Sequence, residues 1–165
     1  MMRRIFLGNL LVLASCALLS SCAEQASSVA SEATEFLPAL YKKTMCFGPC
    51  PAFTFEVAES GSAKLSIDRP IRSGPLSKLA PGAYHAQMTD AYAWNTSIAV
   101  AAEAVQYSNL DSLYDNSFIT DLPATITEWN GKSVTNRYNG PDLTTLYAAF
   151  DEAMVALNWR PIETK

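Results

Sequence analysis

Two cysteines four residues apart carry the most distinctive chemistry of this chain. They lie in Met45-Cys46-Phe47-Gly48-Pro49-Cys50-Pro51. Such a pair either closes a structural bridge or exchanges electrons with other thiols. A bridge is stereochemically open to it, because a turn at Gly48-Pro49 brings the two Cα atoms within disulfide range. Closing so small a ring restrains the unfolded chain by about 2 kcal/mol in the loop-entropy treatment. Redox catalysis makes a further demand, a thiolate stabilised by a helix N-terminus or a cation, usually in Cys-x-x-Cys. Here the spacing is one residue longer, Pro51 and a strand follow, and the motif holds no Lys or His. A structural bridge fixing the start of the next strand is therefore expected, with thiol–disulfide exchange as the alternative.

Other reactive side chains are sparse. His85 is the chain's one histidine, in Gly82-Ala83-Tyr84-His85, with no Gly-x-Ser-x-Gly nearby to supply a nucleophile. It reads as a surface residue. Asp111, Asp115 and Asp121 lack the spacing of a calcium-binding loop and its closing Glu, so they read as solvated carboxylates. No metal and no cofactor are expected. A pair of carboxylates serving a glycan would leave no mark in sequence, so a glycan-active enzyme stays open as an alternative.

The remaining two cysteines belong to the N-terminus. Arg3 and Arg4 precede an apolar stretch, Ile5 to Leu19, too short and broken for a membrane span and patterned as a secretory signal. Leu19-Ser20-Ser21-Cys22 then resembles a lipoprotein processing box, in which the cysteine is acylated and becomes the first mature residue. Leu13-Ala14-Ser15-Cys16 fits such a box as well and lies closer to its consensus. Cys22 is favoured because polarity begins directly after it. Acyl chains add about 0.8 kcal/mol of membrane affinity per buried methylene, so several chains hold firmly. Ala23 after Cys22 points to the outer membrane, facing the periplasm. Residues 1–21 are thus expected to be signal peptide. Residues 22–36 are expected to be lipidated terminus and tether, since Ala23 to Glu35 is small, polar and acidic. As a coil those residues reach about 20 Å. Outside the cytoplasm paired cysteines oxidise, which favours a Cys46–Cys50 bridge.

Residues 37–160 read as one α+β domain. Phe53, Phe55 and Val57 alternate with Thr54, Glu56 and Ala58, turn at Gly61, and return through Ala63, Leu65 and Ile67 as a hairpin with one apolar face. Phe36 to Thr44 is expected as an edge strand because of Pro38. Arg69 to Gln87 reads as loop, with a short strand near Tyr84. A helix capped at Thr96 or Ser97 runs through Ile98, Ala101, Ala102 and Val105, with a start as early as Thr89 left open. Asn109 to Pro123 is expected to be irregular, pinned by Leu110, Leu113, Tyr114, Phe118 and Leu122. A second hairpin turns at Asn130-Gly131, a type I′ pair. Leu143, Leu146, Tyr147, Phe150, Met154 and Leu157 then form one helical stripe, stopped by Pro161. Two hairpins, each followed by a helix, give an antiparallel sheet of four or more strands with helices on one face.

CFGPCP before an alternating strand resembles a bacterial family known as domain of unknown function 6438. Tyr114-Asp115, Thr120-Asp121-Leu122-Pro123, Asn130-Gly131 between two strands, and the final helix continue the resemblance, from about Leu37 to Leu157. It implies an exported or lipoprotein setting and no assigned catalytic residue.

Composition bounds the function. Of 165 residues 49% are hydrophobic and 17% charged, which excludes a wholly disordered chain. Twelve basic against sixteen acidic side chains leave −4, and the balance is more acidic once Arg3 and Arg4 are removed with the leader. Phosphate-directed nucleic-acid binding needs a basic stripe and is not expected. The leading expectation is a non-enzymatic envelope module, held to the membrane by its lipid and binding a protein, glycan or small molecule. Its contact residues are expected at Tyr84, Tyr92 and Trp94 and at Asp115 and Asp121, where the competing reading of the aromatics is local packing.

Overall fold

The computed structural model describes residues 35–163; Cys16 and Cys22 lie outside them. Eight strands form one sheet: β1 (Ala39–Lys43), β2 (Ala52–Val57), β3 (Ser62–Arg69), β4 (Gly82–Gln87), β5 (Leu113–Tyr114), β6 (Thr125–Trp129), β7 (Lys132–Asn136) and β8 (Arg160–Pro161). Their order is β5-β7-β6-β1-β2-β3-β4-β8. Every pairing is antiparallel except β5 with β7. Two helices, α1 (Ala91–Ala104) and α2 (Thr144–Ala156), join the inward-facing strand residues in one apolar core. The fold is α+β, as the alternating strands and the helical stripe imply.

The period of two decides which face is covered. Tyr41, Phe53, Phe55, Val57, Ala63, Leu65, Ile67, Trp129 and Val134 are buried under the helices. The intervening Glu56, Lys64, Ser66, Asp68, His85, Glu128 and Ser133 are exposed on the open face. The Asn130-Gly131 turn adopts φ of 49° and 75°, the left-handed pair that a type I′ hairpin requires.

Two expectations need correction and two are sharpened. The strand predicted at an edge is β1, which lies in the middle of the sheet between β2 and β6. Pro38 sits one residue before the ladder starts at Ala39, so its missing N–H costs the sheet nothing. Helix α1 starts at Ala91, inside the range left open from Thr89 and not at the Thr96 cap: the Asp90 carboxylate accepts from the Ala93 N–H at 2.8 Å and caps it. The strand expected near Tyr84 is β4, which runs over six residues. In the Asn109 to Pro123 segment, Leu110 and Tyr114 pack on the core, while Leu113, Phe118 and Leu122 do not pin it and are exposed.

Helix α2 holds its stripe against the sheet centre. Leu143, Leu146, Phe150 and Met154 are buried, and Tyr147 and Leu157 pack at the margin. The Asp142 carboxylate accepts from Thr144 N–H and Oγ1 at the first turn; that hydrogen bonding, led by the Thr144 side chain, lowers its acidity range below the ordinary carboxylate value. The helix ends where Leu157 turns extended, and the Trp159 indole caps the Met154 carbonyl at 2.9 Å.

An acidic group, Asp151, stands at the core margin. Burial pushes the Asp151 carboxyl above its ordinary range, against the pull of Lys43 and of Tyr41. The Tyr41 hydroxyl is close enough to interact with it but finds no partner at hydrogen-bond geometry. A carboxyl raised in the folded state favours folding most when protonated, so its contribution falls as pH rises through the folded value. Asp151→Asn keeps an acceptor and removes the buried charge. Its melting temperature is therefore expected to gain on that of the wild type as pH rises from 3 to 7. Parallel curves for the two proteins would remove Asp151 from the pH dependence.

Candidate functional site

The cysteine pair closes a five-residue ring between β1 and β2. Cys46 and Cys50 are joined by a disulfide with their Cα atoms 5.9 Å apart. The ring projects from the sheet end: Phe47 is 95% exposed, and Gly48 and Pro49 are exposed. Pro51 stops further ladder pairing on that side. The bridge thus joins the ends of two adjacent central strands, the position a structural staple would occupy.

Three contacts fix the ring. Arg69, the last residue of β3, donates through one guanidinium nitrogen to the carbonyls of Cys46 (3.0 Å) and Gly48 (2.7 Å). Register explains its arrival: Ala52 pairs with Arg69 across an irregularity at Ala52/Phe53, which carries the arginine past the strand end toward the ring. On the other side, Phe47 N–H donates to the Asp121 carbonyl at 3.3 Å. Below it Thr44 N–H donates to the Ala124 carbonyl, and Ala124 N–H returns to Thr44 Oγ1 at 2.8 Å. Within the ring, Gly48 N–H donates to Cys46 Sγ at 3.1 Å.

A cleft of about 300 Å³ opens beside the disulfide, lined by Gly48, Pro49, Cys50, Arg69, Pro70 and Arg72. Two arginines thus line the cleft that Cys50 borders, and a backbone N–H meets the Cys46 sulfur. Such a setting stabilises a thiolate, the species that exchange chemistry forms when a disulfide opens. Sequence reading missed Arg69 and Arg72 because it looked for a cation inside the motif. The usable signal was the β2–β3 hairpin, which returns the chain to the cysteine end at that position.

The other named residues lie elsewhere. Trp94 is buried at 3% exposure and belongs to the core, which corrects its expected place among exposed contacts. Tyr84 also packs against the core and donates its hydroxyl to the Ala80 carbonyl at 2.8 Å. Tyr92 is 70% exposed on α1. The Asp115 carboxylate pairs with Arg137 at 3.3 Å and accepts from Asn116 N–H at 2.7 Å, so its two oxygens serve the loop itself. Asp121 is exposed and touches the cysteine ring through its backbone. His85 stands on the open face, paired across β3–β4 with Lys64.

A second hollow, about 460 Å³, lies on the open sheet face around Leu40, Glu56, Glu128, Lys132 and Ser133. Glu56 and Glu128 flank Leu40 across two strand pairings, about 10 Å apart at the backbone. Both side chains are exposed. Glycoside hydrolysis ordinarily sets its general acid in an apolar pocket, and these two carboxyl groups stand in the open instead. Among the described residues, no group of three or more His, Cys, Asp or Glu side chains gathers as a metal site. No helix among them is long and apolar enough to cross a membrane.

No curated protein and no solved structure matches the chain. The family model described as domain of unknown function (DUF6438) matches residues 39–154. That span starts at β1, ends within α2 and encloses the cysteine ring, Arg69 and Arg72, and the chain is therefore a member of the DUF6438 family.

Proposed function

We propose that this protein is an exported envelope lipoprotein, acylated at Cys22, whose Cys46–Cys50 disulfide exchanges with thiols. The observation that carries the exchange reading is the solvent-open cleft that reaches the disulfide between Arg69 and Arg72. A staple needs no access and no adjacent charge. The bridge here has both, and its ring protrudes from the sheet end.

Energetics are compatible with cycling. Opening a ring this small releases about 2 kcal/mol of chain restraint, against a typical domain stability of about 5–15 kcal/mol. The core beneath it does not depend on the sulfurs: Tyr41, Phe53 and Phe55 are held by α2 and the neighbouring strands. The dithiol form is thus expected to remain folded, with a modestly lower melting temperature. Cys46→Ser is expected to lower it by the same amount.

In the exchange, a substrate dithiol gives up two electrons and two protons and leaves as a disulfide. The Cys46–Cys50 bond breaks, and the two cysteines take up those electrons and protons and remain in the protein as thiols. The test is a fluorogenic peptide dithiol oxidised by the purified full-length protein. Oxidation faster than the same peptide with a Cys46→Ser/Cys50→Ser variant is the expected result. A rate equal to background refutes exchange and leaves the bridge a staple. The anchor has its own test: Cys22→Ser is expected to move the protein from the membrane to the soluble envelope fraction.

A binding role has one specific observation in its favour. Met45, Phe47, Phe118 and Leu122 are exposed on two loops joined by the Phe47–Asp121 hydrogen bond. Apolar side chains gathered at one end suit a protein partner. This reading and exchange share one surface, and cross-linking at Phe47 would identify what covers it.

A further inference from the structure

The two sulfurs of the bridge differ in their surroundings. Cys46 Sγ accepts a hydrogen bond from Gly48 N–H at 3.1 Å, and the carbonyl of Cys46 is held by Arg69. Cys50 Sγ receives no hydrogen bond among the described residues, and Cys50 rather than Cys46 lines the cleft. Displacement at sulfur proceeds in line, with the attacking thiolate opposite the departing one. The sulfur that is reached and the sulfur that leaves are therefore different atoms, and access and leaving-group stability select them. Here both criteria choose the same pair.

The cleft also has a charge. Arg69 has one guanidinium nitrogen committed to the Cys46 and Gly48 carbonyls. Arg72 is exposed and makes no salt bridge among the described residues. An anion entering beside Cys50 meets a cleft lined by both Arg69 and Arg72.

We propose that Cys50 is the attacked sulfur and Cys46 the departing thiolate, and that the cleft selects thiols bearing a carboxylate or similar anionic group. This rests on the exchange reading above. The incoming thiolate forms a bond to Cys50 Sγ, the Cys46–Cys50 bond breaks, and its electron pair stays on Cys46 Sγ beside the Gly48 N–H. A second thiolate of the reductant attacks the mixed disulfide at the reductant's own sulfur. It forms the reductant disulfide and releases Cys50 as a thiolate. Two electrons enter the bridge and two leave the reductant; the two cysteine thiolates take up the protons that the two thiols lost.

The experiment uses the oxidised, folded, full-length protein with three small thiols at matched thiolate concentration: 3-mercaptopropionate (anionic), 2-mercaptoethanol (neutral) and cysteamine (cationic). At low ionic strength the anionic probe is expected to open the bridge about 3–10-fold faster than the cationic one, the size of a single charge–charge term near a surface. The ratio is expected to fall toward one in 0.5 M salt and in Arg72→Gln, and to persist in Arg72→Lys. Quenching early with N-ethylmaleimide and mapping the peptides is expected to find the probe on Cys50 and maleimide on Cys46. Probe on Cys46, probe shared equally, or absence of the charge order overturns the inference while exchange still stands. If no probe opens the bridge faster than it opens the same ring in an isolated Met45–Pro51 peptide, exchange itself fails.

Discussion

Phe150→Ala is expected to cost the domain about 3–5 kcal/mol, the range for truncating a buried Phe. Phe150 is completely buried at the centre of α2. Its ring stacks on Tyr41 of β1 at 5.1 Å between centroids and meets Trp94 of α1 at 6.0 Å, steeply inclined. One side chain therefore touches the central strand and the other helix, and its removal opens a void where both helices meet the sheet. The void has little means of closing, because Tyr41 is already packed on its other flank by Phe53 and Tyr147. Urea titration with two-state fitting measures the loss. A loss below 1 kcal/mol would contradict the burial of the α2 stripe.

The helical stripe and both hairpins were legible in sequence because each rests on one period and one turn. Asn130-Gly131 forces the left-handed pair of φ values that the structure contains, and the apolar residues on either side alternate in register with it. The first helix was harder. Its buried positions, Ala91, Trp94, Ile98, Ala101 and Ala102, do follow helical spacing. Three of the five are alanines, as are several exposed neighbours, so the stripe scarcely contrasts with the opposite face. The centre of the sheet was misplaced for another reason. A proline near a strand argues for an edge only if it falls inside the ladder, and composition does not show where the ladder begins. Pro38 stops one residue short of it.

The candidate site was legible in its sulfurs and not in its charges. Spacing and the expected export point to the Cys46–Cys50 bridge, and the structure contains it. The arginines come from the end of β3 and the segment just after it, 23 residues from Cys46 in the case of Arg69. A motif search confined to neighbouring residues cannot find them. Extending the β2–β3 pairing outward from Phe55 opposite Leu65 to Phe53 opposite Ile67 brings the chain to Arg69 beside the cysteines, without any knowledge of side-chain positions. Trp94 departs from expectation in the opposite sense. It lies near a helix start, where the sequence leaves open whether the residue is exposed, and the helix turns it inward, while Tyr84 on its strand is partly buried.

Trp94→Ala separates these two readings of the aromatics and is expected to cost about 3–5 kcal/mol. The indole lies edge-to-face with Phe55 at 6.2 Å and with Trp129 at 6.1 Å, besides its contact with Phe150. Its Nε1–H donates to the Leu37 carbonyl at 2.9 Å, while the next residue, Asn95, accepts from Leu37 N–H at 2.8 Å and donates to the Glu35 carbonyl at 3.0 Å. Trp94 therefore joins the aromatic core to the segment leading into β1, and truncation loosens both. Tyr92, two residues earlier and largely exposed, is the internal control: Tyr92→Ala is expected to stay within about 0.5 kcal/mol of the wild type. Because Trp94 and Phe150 touch, the double variant is expected to lose less than the two single losses together, since the second truncation removes contacts that the first has already broken. Limited proteolysis gives an independent readout, with cleavage near Leu37 accelerated in Trp94→Ala and unchanged in Tyr92→Ala. Equal small losses for the two variants would return Trp94 to the surface and reinstate it as a contact residue.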